Sequence, residues 1–140
     1  MTHAHRRIQR LSVNKLAKGL RLCADGLPGE LAAVELLIVH GFWLNRADFC
    51  SHFIGRDDAP DAPDEVLAWV RWDEAVTALG CGRLVCSSGE AAVLRIAAAL
   101  ATGGAFPASV LSSLDRENFA HVLTATAQAS GHPAVQVVIR

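Results

Sequence analysis

The sequence predicts an all-α protein, a bundle of five or six helices with at most one short strand pair. Apolar residues make up 51% of the 140-residue chain and charged residues 19%, which favours a packed core over disorder. Two alanine- and leucine-rich runs, 28–44 and 88–102, are apolar on nearly every side, as central helices are. Helix-starting and helix-ending residues flank most apolar segments. A chain of this length is predicted to form one domain, 1–140.

The first half of the chain predicts two helices and the start of a third. Residues 6–23 place apolar side chains mostly three or four apart, which indicates a basic amphipathic helix. Gly26 can end this helix, and Pro28 suits the first position of the next one. Asn45, followed three residues later by Asp48, indicates a new helical start.

The second half predicts further helices and the candidate strands. The acidic, proline-rich stretch 55–65 predicts a solvated loop. In "VLAWVRW" (66–72), β-branched and aromatic residues permit a strand, although Asp64 could equally cap a helix. The segment 134–139 is either a strand, as the partner of 66–72, or a tail packed on the body. Helices are predicted at 73–79, 88–102, 107–114 and 115–130.

The two halves of the chain resemble each other. "GELAAVELLIVHG" (29–41) is similar to "GEAAVLRIAAALATG" (89–103), and "LNRADFC" (44–50) is similar to "LDRENFA" (114–120). The similarity is consistent with an internally duplicated helical hairpin, or with chance similarity between alanine-rich helices. In either case, we expect the two apolar helices to pack against each other.

Each of the two apolar helices carries one internal charge, and the alignment of the halves brings the two charges together. These are Glu35 in the first helix and Arg95 in the second. An unpaired charge in a core would cost several kcal/mol. We therefore expect Glu35 and Arg95 to form a buried or half-buried ion pair.

Charge is distributed unevenly, although the net charge is −1. Residues 1–24 contain no acid and six basic residues, Arg6, Arg7, Arg10, Lys15, Lys18 and Arg21. One interpretation is a basic arm that binds nucleic acid or another polyanion. The other, which we favour, is a helix face that docks on the acidic body, because six charges over 24 residues are a weak electrostatic footprint.

The stretch "CSSGE" (86–90) contains a candidate reactive cysteine. Cys86 precedes a helix start, where the helix dipole can lower the pKa of a thiol and so activate a nucleophile. Ser87 and Glu90, however, have the spacing of a capping box, which explains the stretch as a helix start. We favour the cap, because no catalytic motif surrounds the cysteine.

A zinc centre is the second chemical hypothesis. A Cys3His set of ligands would consist of Cys50, His52, Cys81 and Cys86. The spacing Cys-x-His is unusual for zinc, and buried free cysteines commonly behave as small apolar residues. We therefore expect no cofactor.

Other sequence features exclude several classes of function. No apolar run is long enough for a membrane span or a signal peptide, so we expect a cytoplasmic protein with reduced cysteines. "ATGGAFP" lacks the lysine and the preceding strand of a phosphate-binding loop. His40 and His121 lie in apolar surroundings, and we expect hydrogen-bonded core residues rather than catalysts.

Three segments, "ELLIVHGFWLNRADF", "WDEAVTALGCGRLVCSSGEAAVLRIAAALA" and "LSSLDRENFAHVLTATAQASGH", resemble a group of small uncharacterised helical proteins from high-GC bacteria. That group shares a His-Gly-x-Trp-Leu segment, a Ser/Gly-Glu helix start followed by Leu-Arg-x-Ala-Ala, and a Leu-Asp-x-x-Asn helix start. The resemblance covers residues 30–132 and implies no activity, cofactor or site residue.

We expect a non-enzymatic interaction or regulatory module that acts through a helical surface as a homodimer or with another protein. The apolar composition favours a surface hidden in a partner. The alternative is a nucleic-acid-associated protein that uses residues 1–24. A third hypothesis is an activity that depends on a cysteine or on zinc around Cys81 and Cys86.

Overall fold

The computed structural model of the protein describes residues 11–58 and 64–140, which form seven helices and one antiparallel hairpin. The mostly helical class with one strand pair is therefore confirmed. The helices are α1 (Val13–Ala24), α2 (Pro28–His40), α3 (Ala47–Phe53), α4 (Trp72–Gly80), α5 (Ser88–Thr102), a short 3-10 helix (Ala108–Ser113) and α6 (Arg116–Ala129). The strands are β1 (Ile54–Asp58) and β2 (Val66–Val70).

The helices α2 and α5 form the centre of the fold and pack against each other, as their apolar sequences predict. They run antiparallel. Gly29, at the start of α2, lies so close to the end of α5 that a Cβ atom would collide with the carbonyl oxygen of Leu100. At the other end, the indole N–H of Trp43, just beyond α2, donates to the carbonyl oxygen of Glu90 at the start of α5 (3.0 Å).

Two helices differ from their predicted bounds. The helix α2 ends at His40 rather than near residue 44, because Gly41 adopts a left-handed conformation with φ of 79°. The helix α3 begins at Ala47 rather than at Asn45, whose side-chain amide donates to the carbonyl oxygen of Gly41 (2.6 Å) and closes the turn. At the start of the chain, α1 begins after the N-cap Ser12.

The hairpin corrects the predicted strand pairing. Residues 66–70 form a strand as expected, but their partner is β1, inside the predicted loop 55–65, with Ile54 opposite Val70. Residues 134–139 form no strand with any described part of the chain. Pairing over a short connection costs less chain entropy than pairing with a distant segment. The glycine at position 55 also makes this pairing possible, because a Cβ atom there would collide with the ring of Trp69 on the opposite strand.

The remaining elements pack around the central pair, and not symmetrically. The helix α1 contacts α2 and β2, and α4 contacts α5. The helix α6 lies along α2, whereas α3, which corresponds to α6 in the sequence similarity, packs on α4 and β1. The similarity of the halves therefore extends to the central helices and not to the packing of α3 and α6. In the described part of the chain, no helix is long and apolar enough to cross a membrane.

Candidate functional site

Three of the segments that stand out in the sequence meet at one end of the central helices. The helix α2 ends at His40, whose imidazole feels charges at the starts of α5 and α6. These are Glu90 in the first turn of α5, Asp115 at the N-cap of α6 and His121 in the second turn of α6. We call the region around His40, Glu90, Asp115 and His121 the polar end of the bundle.

The side chain of Arg46 is bound within the fold, close to the polar end. Its Nε and Nη2 atoms donate to the carboxylate of Asp48 at 2.7 and 2.9 Å, and its Nη1 atom donates to the carbonyl oxygen of Val85. The guanidinium also lies over the rings of Phe42 and Trp43, 5.8 and 5.3 Å from their centroids. The hydrogen bond to Arg46 lowers the pKa of Asp48 below its ordinary value. Arg46 therefore joins the α2–α3 connection to the segment before α5.

Cys86 does not have the properties of an activated nucleophile. Burial, and secondarily the charge of Glu90, raises the pKa of its thiol above the ordinary value. The capping box beside it is confirmed. The Ser87 hydroxyl accepts a hydrogen bond from the Glu90 N–H at 3.1 Å, and the Glu90 carboxylate accepts one from the Ser87 N–H at 2.7 Å. At neutral pH this cysteine is a protonated thiol next to a helix cap.

His40 differs from its prediction as a hydrogen-bonded core residue. Its Nδ1 atom is buried without a hydrogen-bond partner in the described part of the chain. Burial lowers the pKa of His40 below its ordinary value, against the opposing effects of Glu90 and Asp115. The imidazole is therefore neutral at pH 7. Cys86 and His40 therefore do not form a thiolate–imidazolium pair at neutral pH.

The predicted zinc ligands do not come together. Among the described residues, no three His, Cys, Asp or Glu side chains are placed to hold a metal ion. Cys50 donates from Sγ to the carbonyl oxygen of Leu44 (3.3 Å), while His52 lines an open cleft of about 640 Å³ beside Asp73 and Glu74. Two residues apart on α3, Cys50 and His52 point to different sides of the helix, which is why the Cys-x-His spacing fails.

Cys81 and Cys86, the other two members of the predicted zinc set, belong to different environments. Cys81 is exposed at the end of α4, and Cys86 is half-buried before α5. Neither has a disulfide partner within the described ranges.

The basic segment is partly neutralised by acids of the same chain. Arg6, Arg7 and Arg10 lie outside the described residues. Lys15 is exposed on α1, whereas the Nζ atom of Lys18 lies 2.9 Å from the carboxylate of Glu65. The geometry of Lys18 matches docking on the protein's own acidic body.

Glu35 pairs with Arg21 and not with Arg95, which corrects the predicted ion pair. The Nε and Nη2 atoms of Arg21 donate to the two carboxylate oxygens of Glu35 at 2.6 and 3.0 Å. Glu35 lies on the side of α2 that faces α1, not on the side that packs on α5. No carboxylate in the described ranges lies within ion-pair distance of Arg95, which is half-buried.

An exposed apolar surface, which the residue patterns did not identify, lies at the C-terminal side of the protein. Half of the ten exposed large apolar side chains in the described ranges belong to α6 and the segment after it. They are Phe119 (38% exposed), Leu123 (39%), Val135 (57%), Val138 (72%) and Ile139 (48%). We call these five residues the C-terminal surface. The spacing of Phe119 and Leu123, four apart on one helix, is the signal that could have identified it.

Hydrogen bonds at both ends of the last segment place it beside α6, which carries the other part of this surface. The N–H of His132 donates to the carbonyl oxygen of Ala127, at the end of the helix (2.8 Å). Eight residues later, the carbonyl oxygen of Arg140 accepts a hydrogen bond from Arg116 at the start of the helix (3.4 Å). The segment 132–140 therefore runs from the last turn of α6 back towards its first residue.

No protein-family model, curated protein or solved structure matches this chain. The similarity to small helical proteins of high-GC bacteria stays a prediction. Function is therefore inferred from the exposed side chains and the charges of the fold.

Proposed function

We propose that the protein is a non-enzymatic interaction module that forms a homodimer through the C-terminal surface. The observation that carries this proposal is the concentration of five exposed large apolar side chains on α6 and the segment beside it. Exposed apolar groups clustered on one side of a protein are typical of an interface. Covering them removes apolar area from water, which is the main favourable term in protein association.

Charge balance favours a second copy as the partner. A twofold dimer places the same surface of both copies face to face, so a strongly charged surface repels itself. Residues 115–140 carry two acids and two arginines. In contrast, residues 45–83 carry eight acids and four arginines, and α1 carries three basic residues and no acid. Of these three segments, only the one that contains the C-terminal surface has equal numbers of acidic and basic residues.

The side chains at the polar end support binding rather than catalysis. The Cys86 thiol has a raised pKa, the His40 imidazole has a lowered pKa, and Arg46 is already hydrogen-bonded within the fold. A thiol nucleophile is activated by a lowered pKa or by a hydrogen-bonded base, and Cys86 has neither among the described residues. The pairing of Lys18 and Arg21 with acids of the same chain likewise weakens the case for a nucleic-acid interface.

The test is the oligomeric state of matched variants. We expect a dimer by size-exclusion chromatography with light scattering, and a dimer dissociation constant raised at least about tenfold in Phe119→Ser/Leu123→Ser. The control is Val85→Ser, which removes an exposed valine outside the C-terminal surface. Circular dichroism establishes that each variant is folded. A wild-type chain that stays monomeric at high concentration contradicts the proposal, as does an equal effect of Val85→Ser.

A further inference from the structure

The segment that crosses α6 has unused backbone hydrogen-bonding groups. After the N–H of Val135, which donates to His132 (3.1 Å), the N–H and C=O groups of residues 136–139 bond to no residue in 11–58 or 64–140. Gln136, Val138 and Ile139 are exposed and Val137 is half-buried, so this stretch lies at the surface with unpaired backbone groups, as an edge strand does. A row of this kind is a template for pairing with another chain.

The same segment is held at both ends. His132 is bonded to the end of α6, and the carbonyl oxygen of Arg140 is bonded to Arg116 at its start. Fixing a chain before it binds reduces the conformational entropy that binding would otherwise cost. Val135, Val137, Val138 and Ile139 are β-branched, which favours extended backbone. The two fixed ends and the β-branched residues both favour strand pairing by this segment.

We propose that residues 135–139 of two copies pair as antiparallel strands across the twofold axis of the dimer. This inference rests on the proposed function and specifies its contacts. A twofold axis perpendicular to the paired strands relates them in antiparallel orientation, so each copy contributes the same residues. The dimer then joins the two C-terminal surfaces by backbone hydrogen bonds as well as by apolar contact.

The charges in the segment select this orientation. Residues 133–139 contain no acid and no base, and Arg140 follows them. With Val137 opposite Val137, Val135 faces Ile139 and Arg140 faces Ala134, so no like charges are opposed. A parallel, in-register pair would instead place one Arg140 against the other, which is destabilising.

Paired proline substitutions test the strand pairing. Successive N–H groups of a strand point to opposite edges, so either Gln136→Pro or Val137→Pro must remove a donor that the pairing uses. We expect one of the two to raise the dimer dissociation constant at least about tenfold. The control Val137→Ala retains the N–H and is expected to have a much smaller effect.

Hydrogen exchange provides the second measurement. Alternate amides within 136–139, whose N–H groups have no partner in the monomer, should exchange more slowly at concentrations where the dimer forms than where the monomer predominates. If both proline variants dimerise like the wild type, or if Val137→Ala is as damaging as proline, strand pairing is wrong while the homodimer stands. If the wild-type chain does not dimerise at all, the proposed function fails and this inference fails with it.

Discussion

The two central helices carry a glutamate at the same position of the first turn, yet the two carboxylates have different partners. In α5 the Glu90 carboxylate closes the capping box with Ser87. In α2 the N-cap is Leu27, which has no side-chain oxygen, and the Glu30 carboxylate instead accepts the indole N–H of Trp72 (3.0 Å). A glutamate is thus bound locally where a cap is present and by a distant residue where the cap is missing.

Each of these helix starts is also contacted by a tryptophan from elsewhere in the chain. Trp43 follows α2 and donates to the backbone of Glu90, whereas Trp72 opens α4 and donates to the side chain of Glu30. Both tryptophans are buried, and both are satisfied, as buried indole N–H groups usually are. A buried tryptophan therefore anchors the start of each central helix. Trp43 binds a backbone carbonyl of α5, and Trp72 binds a carboxylate of α2.

The largest expected loss of stability comes from removing Trp43, which binds the backbone of α5. Trp43 is 0% exposed, so Trp43→Ala loses its burial and leaves a cavity, and we expect the free energy of unfolding to fall by about 3–5 kcal/mol. The measurement is urea unfolding followed by circular dichroism. Trp69→Ala is the matched control, because Trp69 is 40% exposed on the hairpin. Equal losses for Trp43→Ala and Trp69→Ala would contradict the anchoring role.

The second effect concerns the caps. Ser87→Ala removes the oxygen that accepts the Glu90 N–H and is expected to cost about 1 kcal/mol. Leu27→Ser should do the reverse and stabilise the protein by about 0.5–1 kcal/mol, since Leu27 is exposed and its backbone is already extended. Both are measured by chemical unfolding. A neutral Ser87→Ala, or a destabilising Leu27→Ser, would show that the two starts do not differ in capping.

A smaller effect on stability is expected from the ion pair between Arg21 on α1 and Glu35 on α2. A double-mutant cycle with Arg21→Gln and Glu35→Gln should give a coupling of roughly 0.2–1 kcal/mol, because the pair is partly exposed and screened by solvent. The same cycle on Glu35 and Arg95 should give a coupling near zero. A larger coupling for Glu35 with Arg95 than with Arg21 would restore the pairing predicted from the alignment of the halves.

The smallest expected effect is a pH dependence from the end of α2. The pKa of His40 is lower in the folded protein than in the unfolded chain, so the unfolded chain binds more protons on acidification. Its contribution to stability is therefore present at neutral pH and declines as the pH falls from about 7 towards 5. Unfolding measured across this window should depend less on pH in His40→Gln than in the wild type, with exposed His132→Gln as control. An unchanged slope in His40→Gln refutes the assignment.

Local patterns predicted much of the helical framework. The capping box at Ser87, the cap at Asp115 and the buried pairing of the two apolar helices are set by side chains near in sequence and by apolar periodicity, and all three are present. The predicted end of α2 is too late, because the apolar residues continue past Gly41, where the helix ends. The zinc set does not assemble, because Cys50 and His52 are two residues apart on one helix and point to different sides of it, and Cys81 and Cys86 lie in different environments.

The sequence by itself determined that the protein is helical, that two apolar helices lie at its centre, and that "CSSGE" is a helix start. These features depend on interactions within a few residues or on hydrophobicity along one helix. Only the tertiary structure decided that Glu35 binds Arg21, that β1 pairs with β2, and that the last segment crosses α6. Such contacts depend on which side of each element meets which neighbour, and a pattern along one chain does not contain that choice.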